Sequence, residues 1–286
     1  MLTRSITGVI GALVAVGIIT VGGIYFSIAV TLLGLIGWWE FHNMATSKGY
    51  DVYLSSGVGS LGLLTIAGMG YYVEMESVYV MAFLTMVTAI FIILITIEGL
   101  WRHCNRGDNH WAPNTGFSAF AMLYCGLLMA HVTLLRSFDY GPHIDMGFRA
   151  FEYGELCLWT ALIGTWASDT FAYFVGCAFG KTPFCSVSPK KSFEGGVGGF
   201  VGCFVVVLFL CIIGIGVPLW QACIIALSVA FFAPLGDLIE SILKRSFEIK
   251  DSGKLFPGHG GVLDRFDSLL FTAPIVYYLL LVFSIF

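Results

Sequence analysis

Nine apolar stretches follow one another along this chain with little between them, over approximately 5–22, 24–43, 54–72, 77–99, 115–136, 155–180, 195–217, 218–243 and 266–285. A helix crossing the ~30 Å hydrocarbon core of a bilayer needs about 20 apolar residues, and most of these stretches meet that length. Inside hydrocarbon every backbone N–H and C=O must find an internal partner, so such segments become helices. The expected fold is therefore all-α: a polytopic integral membrane protein with about nine transmembrane helices. Gly22-Gly23 separates the first two stretches and Pro218 the seventh and eighth. The stretch 54–72 is short and rich in Gly and Ser.

Composition agrees. Hydrophobic residues make up 58% of the chain and charged residues 11%, against about 25% charged in soluble domains. Only Arg4 precedes the first stretch, no small-residue cleavage site leads into a polar chain, and further spans follow at once, so this stretch reads as a retained helix. The eight cysteines form no CxxC pair. They read as small apolar residues in helix packing, not as a disulfide or zinc framework.

The basic residues set an orientation. With nine crossings, the N-terminus and the loops after the second, fourth, sixth and eighth spans share one side. Of the 14 Lys and Arg residues only Arg136 and Arg149 fall on the other side. This positive-inside bias predicts a cytoplasmic N-terminus and cytoplasmic loops at 181–194 and 245–264, in a cell-membrane protein. No nucleic acid partner is expected.

The chain divides by character. Residues 1–150 hold about five spans, with short loops and few charges. Glu40 and Glu98 lie near predicted cytoplasmic ends beside Trp38, Trp39 and Trp101, where aromatic belts form. His131 on an apolar face reads as a packed or backbone-bonded residue. Residues 151–286 carry polar groups inside apolar segments and form the expected catalytic region. Asp169 lies within the sixth stretch, and Asp237 and Glu240 lie toward the end of the eighth. Charges at bilayer depth cost about 2.5–3.5 kcal/mol each on insertion scales, so they face a bundle interior or a wet cavity. A helix-to-helix polar contact is the plainer alternative.

Three constellations could do chemistry. Asp237, Glu240, Ser241 and Lys244 are spaced i, i+3, i+4, i+7 and share one helix face. That polar stripe continues a span, which suits a cavity open to the cytoplasm. The loop 246–263 is polar and glycine-rich, with Lys250-Asp251-Ser252-Gly253-Lys254 and Pro257-Gly258-His259-Gly260-Gly261. Glycines let backbone N–H groups approach phosphate oxygens, and lysines neutralise them. The loop leads into Asp264-Arg265-Phe266-Asp267, whose two carboxylates suit Mg²⁺, a hard cation, or simple helix capping. The third constellation is Ser168-Asp169-Thr170-Phe171-Ala172-Tyr173, then Gly176 and Gly180 at the spacing of close helix contacts. Beyond it Lys190 and Lys191 offer a second anion site, although no Walker A loop is present.

Residues 241–267 resemble the phosphatidate cytidylyltransferase family position for position, at Ser241, Lys244, Arg245, Lys250, Asp251, Gly253, Phe256, Pro257, His259, Gly260, Gly261, Asp264, Arg265 and Asp267. The runs Asp169–Tyr173 and Ser188–Lys191, and the Glu40-Phe41 pair, are similar to the family as well. The resemblance implies magnesium-dependent transfer of CMP from CTP to phosphatidic acid in the bilayer, giving CDP-diacylglycerol and pyrophosphate. It implies Asp237 and Asp264 as the leading metal ligands, with Glu240 and Asp267 as helpers and room for a second metal ion. Lys244, Arg245, Lys250 and Arg265 become candidates for the triphosphate or lipid phosphate, and His259 with Gly260 and Gly261 for the nucleotide or leaving group. Asp169, Lys190, Lys191, Ser241 and Asp251 complete the expected substrate-binding set. A homo-oligomer is left open.

Two other classes compete. An ion-coupled transporter also places acids in spans, but here charge concentrates in one loop and no repeat is evident. A CTP-dependent polyprenol kinase would share nucleotide and lipid while transferring the γ-phosphoryl group. The DGxxAR-type pattern of CDP-alcohol phosphotransferases is missing.

Overall fold

The computed structural model describes residues 2–72, 75–139, 144–145, 147, 149–183, 191–256, 258 and 260–284. Every apolar stretch forms helix. In chain order these are α1 (Leu2–Val21), α2 (Gly23–Thr46), α3 (Leu54–Tyr72), α4 (Ser77–Arg106), α5 (Trp111–Ala121) and α6 (Met129–Arg136), then α7 (Tyr153–Phe179), α8 (Phe193–Phe209), α9 (Leu219–Ser246) and α10 (Leu263–Phe283). The fifth stretch is α5 and α6 joined without a break by a π-helical turn at Met122–Leu128; a second π turn, Leu210–Ile215, extends α8. A short antiparallel pair, β1 (Ile144–Asp145) and β2 (Ala150–Phe151), precedes α7.

Among the described residues, six helices are long and apolar enough to cross a membrane: Gly23–Thr46, Ser77–Arg106, Trp111–Arg136, Phe193–Ile215, Leu219–Ser246 and Leu263–Phe283. Of the remaining three stretches, Leu54–Gly70 is apolar but shorter, α1 contributes an apolar run at Gly11–Val21, and α7 has the length with Glu155 and Asp169 inside it. Large apolar side chains point outward in numbers no soluble surface would tolerate, such as Val78, Phe83, Ile93 and Ile97 on α4. Lipid is the solvent that accommodates them. The molecule is a multi-pass membrane protein.

The chain forms two compact units, Met1–Leu134 with Ser246–Arg265, and Leu135–Arg245 with Phe266–Phe286. In the first, small residues let helices approach. A side-chain carbon at Gly34 would strike Leu64 on α3, and one at Gly126, in the π turn, would strike Ser60. The indole of Trp38 donates to Ser56 Oγ at 2.9 Å. A polar network ties the start of α3 to the end of α4 and the start of α5. Arg102 bridges Glu98 and Asp51, while Asp108 accepts from Asn114 Nδ2 and from the His110 N–H. Asp108 lies between helices. Burial alone would raise its carboxyl, but those hydrogen bonds outweigh it and hold it below the ordinary carboxylate range. The late segment Ser246–Arg265 belongs with these N-terminal helices because Phe247 packs on Phe41 of α2 and Phe117 of α5, with ring centroids 6.0 and 5.6 Å away.

In the second unit α7 and α8 pack through glycine. Gly176 faces Gly195, as the small-residue spacing predicts, and Gly202 lies close against the Phe171 side chain. The two described ends of the connection between them are held by hydrogen bonds. Ser192 Oγ caps α8 by accepting the Gly195 N–H at 3.1 Å, and Glu194 accepts the Lys181 and Thr182 N–H groups at 3.1 and 3.2 Å. In the first unit His131 is held as expected, with Nδ1 2.8 Å from the Leu127 carbonyl one turn back.

Candidate active site

In the second unit the charged face of α9 is real and mostly covered. Gly236 lets α9 meet α10 closely, since a side-chain carbon there would strike the Asp267 carbonyl and Ser268. One residue on, Asp237 forms an ion pair with Lys191, which precedes α8. One turn further, the Glu240 side chain is 1% exposed and pairs with Lys244, itself 14% exposed. Ser241 is half-buried on the same face. Asp267, near the start of α10, lies within electrostatic reach of Asp169, Lys244 and Lys191. Four acids from three helices and two lysines therefore belong to one neighbourhood. Pro234 sits one turn before Asp237–Glu240 in α9, where it removes a backbone hydrogen bond.

In the first unit the glycine-rich loop is built around two carboxylates. Asp264 Oδ2 accepts the N–H groups of Ser252 and Gly261, both at 2.8 Å, and lies 2.9 Å from Ser252 Oγ. Glu40 of α2, 5% exposed, accepts the Val262 N–H at 2.9 Å through Oε1 and the Leu263 N–H at 3.1 Å through Oε2. Its Oε2 is also 3.1 Å from Ser252 Oγ. The loop closes on itself where the Phe256 N–H reaches the Gly260 carbonyl at 3.0 Å. Gly260 has φ +85°, and a side chain there would strike Asp264; side chains at Gly253 and Gly261 would strike Glu40. Three glycines of the loop are thus required by two carboxylates.

The expected site residues divide accordingly. Asp169, Lys191, Asp237, Glu240, Ser241, Lys244 and Asp267 lie in the second unit, and Asp264, Gly260 and Gly261 in the first. Arg245, Lys250, Asp251 and Arg265 are exposed. Lys190 and His259 lie outside the described residues. Glu40 was not expected as a site residue. Its signals were an acid within an apolar stretch and the resemblance of Glu40-Phe41.

The donor chemistry suits a hard divalent cation. Asp169, Asp237 and Asp267 offer oxygen only, and a lysine ammonium already sits against Asp237 where positive charge is wanted. Among the described residues no three His, Cys, Asp or Glu side chains form a ready-made metal cage.

Comparison with known proteins matches residues 2–283 to the model of the cytidylyltransferase family. The chain is similar to a Bacillus subtilis protein named phosphatidate cytidylyltransferase, 31% identical over 99% of each chain. It is 32% identical to a protein of the same name from Synechocystis, covering 96% of this chain and 94% of the other. A chloroplastic Arabidopsis thaliana protein, phosphatidate cytidylyltransferase 5, is 31% identical over 91% of this chain and 67% of its own.

Proposed function

This chain belongs to the cytidylyltransferase family, and from that membership we propose that it transfers CMP from CTP to phosphatidic acid, forming CDP-diacylglycerol within the bilayer. It is a nucleotidyltransferase. The observation that carries the reading is the neighbourhood of Asp169, Asp237, Glu240 and Asp267 with Lys191 and Lys244. Two anionic substrates must be brought together, and such a mixed cluster can hold both a cation and phosphate oxygens.

A phosphate oxygen of phosphatidate attacks the α-phosphorus of CTP. The bond from that phosphorus to the β-phosphate's bridging oxygen breaks, and pyrophosphate leaves with the electron pair. The nucleophile is an anion near neutral pH, so no general base is required. Lys191 and Lys244 bind phosphate oxygens and offset the charge that grows on the leaving group. Asp237 is the carboxylate proposed for Mg²⁺ in the second unit, supported by Glu240 and Asp267, and Asp264 is the one proposed in the first. When bound, Mg²⁺ supplies charge neutralisation on the triphosphate. The backbone of Gly260 and Gly261, with Lys250 and Arg265, serves the nucleotide. CTP is a polyanion of the cytoplasm, which fits the side on which the basic loops are predicted. The protein thus lies in the cell membrane with its N-terminus and the loops 181–194 and 245–264 in the cytoplasm.

The test is purified protein in detergent with α-labelled CTP, phosphatidate and Mg²⁺. A labelled lipid and one pyrophosphate per turnover are expected, with EDTA abolishing turnover and Mg²⁺ restoring it. Asp237→Asn should remove most activity in a folded protein. CDP with a phosphorylated lipid would mean kinase chemistry, and no product at all would end the enzymatic reading.

A further inference from the structure

The loop that enters α10 is tethered by a residue more than 200 positions away. Glu40 receives three groups from it: Ser252 Oγ at one end and the Val262 and Leu263 N–H groups at the other. The same Ser252 hydroxyl lies against Asp264 Oδ2. The chain between Ser252 and Val262 is thereby pinched shut at its base, with Gly253, Gly258, Gly260 and Gly261 inside the pinch. The absence of side chains at Gly253 and Gly261 is what makes room for the Glu40 carboxylate. An acid at an aromatic-flanked helix end could reside at the lipid–water interface. This one instead sits inside the protein on backbone N–H donors, which replace the water it has given up.

We propose that Glu40 is a positioning residue for the transfer reaction: it holds both ends of the 252–263 loop and, through Ser252, fixes the direction in which Asp264 and the glycine backbone meet the nucleotide. This rests on the cytidylyltransferase reading. Glu40 acts through the loop, its buried carboxylate lying against Ser252, Val262 and Leu263. Its carboxylate is the right group because it only accepts: two backbone N–H groups donate to it, and the single Ser252 hydroxyl hydrogen is shared between it and Asp264. A glutamine of the same size turns an N–H₂ toward a donor and breaks at least one contact, while leaving packing around α2 intact. A loop displaced by about 1 Å can cost on the order of a hundredfold in rate.

The experiment uses the full chain in lipid nanodiscs, with kinetics and hydrogen–deuterium exchange measured on the same preparations. In Glu40→Gln, exchange should rise in the peptide spanning 252–264 and stay unchanged in α7 to α9. Turnover should fall by about ten- to a hundredfold, with KM for CTP raised and phosphatidate saturation unaltered. Ser252→Ala should loosen the same peptide. The double variant should lose less than the sum of the two free-energy changes, because both act through one contact. If Glu40→Gln fails to fold, Ser252→Ala carries the same exchange and kinetic readouts by itself.

Faster exchange with wild-type kinetics would reduce Glu40 to a tether and overturn the proposal. Lost turnover with unchanged exchange would overturn it too, by showing that the effect does not pass through the loop. A wild-type protein that makes no nucleotidyl lipid removes the function reading and the kinetic claim with it. An active wild type with an unaffected Glu40→Gln removes the positioning claim alone.

Discussion

Lys244 and Glu240 stand one turn apart on α9, and their burial separates two roles that a single substitution would confuse. Lys244→Met takes a cation from beside a carboxylate that has almost no access to solvent. Breaking a buried pair by removing one partner typically costs about 3–5 kcal/mol, so this variant should lower the thermal midpoint whether or not Lys244 touches phosphate. The informative protein is Glu240→Gln with Lys244→Met, which removes both charges together and should recover much of the stability. If Lys244 binds phosphate, the double variant stays slow or poorly saturated by CTP or phosphatidate despite its recovered midpoint. Full activity in a stable double variant would show that the pair serves the helix and not the substrate. The spacing of Asp237, Glu240, Ser241 and Lys244 announces this face in the sequence. The Lys191 contact with Asp237 does not announce itself, because it joins residues 46 positions apart. Glu40 was harder still. Beside Trp38 and Trp39 its residue type reads as an interfacial acid, and its partners lie 212 to 223 positions downstream. A long-range hydrogen bond leaves no local periodicity to read.

Helices were legible because their signal is local. A run of about 20 apolar residues specifies a helix in lipid regardless of what surrounds it, and the expected breaks at Gly22-Gly23 and Pro218 separate helices in the structure. The π turns at Met122–Leu128 and Leu210–Ile215 were not foreseen, since one extra residue in a turn changes neither hydropathy nor length appreciably. Glycine spacing was informative about contacts. Gly176 marks the approach to Gly195 as the sequence suggests, and Gly202 does equivalent work outside the Gly176–Gly180 spacing. The consequence can be measured. Gly202→Ala would place a carbon within the Phe171 ring, and neither helix can retreat without disturbing Gly199, which lies against the Ser168 carbonyl. Overpacking of this kind costs about 1–3 kcal/mol. The midpoint of Gly202→Ala should fall accordingly in detergent, and Phe171→Leu in the same chain should return part of the loss. No change in midpoint for Gly202→Ala would mean that α7 and α8 are not packed at this contact.

At the scale of the whole molecule, orientation in the bilayer decides whether the site can meet CTP. A nucleotide triphosphate does not cross hydrocarbon, so residues that bind it must open to the cytoplasm. The distribution of Lys and Arg predicts the cytoplasmic side for the basic loops, leaving only Arg136 and Arg149 opposite. In the structure both of these are partnered by acids, Arg136 by Glu152 and Arg149 by Glu155. Exposed positions make the orientation testable: Lys181 and Lys254 in the predicted cytoplasmic loops, and Ala150 on β2 in the opposite one. Single cysteines at these positions should be placed in a chain whose Cys104 and Cys185 are replaced by serine. An impermeant maleimide added to intact cells should label Ala150→Cys and spare Lys181→Cys and Lys254→Cys, and all three should label after lysis. Labelling of Lys181→Cys and Lys254→Cys from outside, with Ala150→Cys protected, would invert the protein. Labelling that separates Lys181→Cys from Lys254→Cys would mean that an even number of crossings does not lie between the two loops. In that case α8 and its π turn, or α9, would enter the bilayer without spanning it, and the acids of α9 would need a different route to the nucleotide.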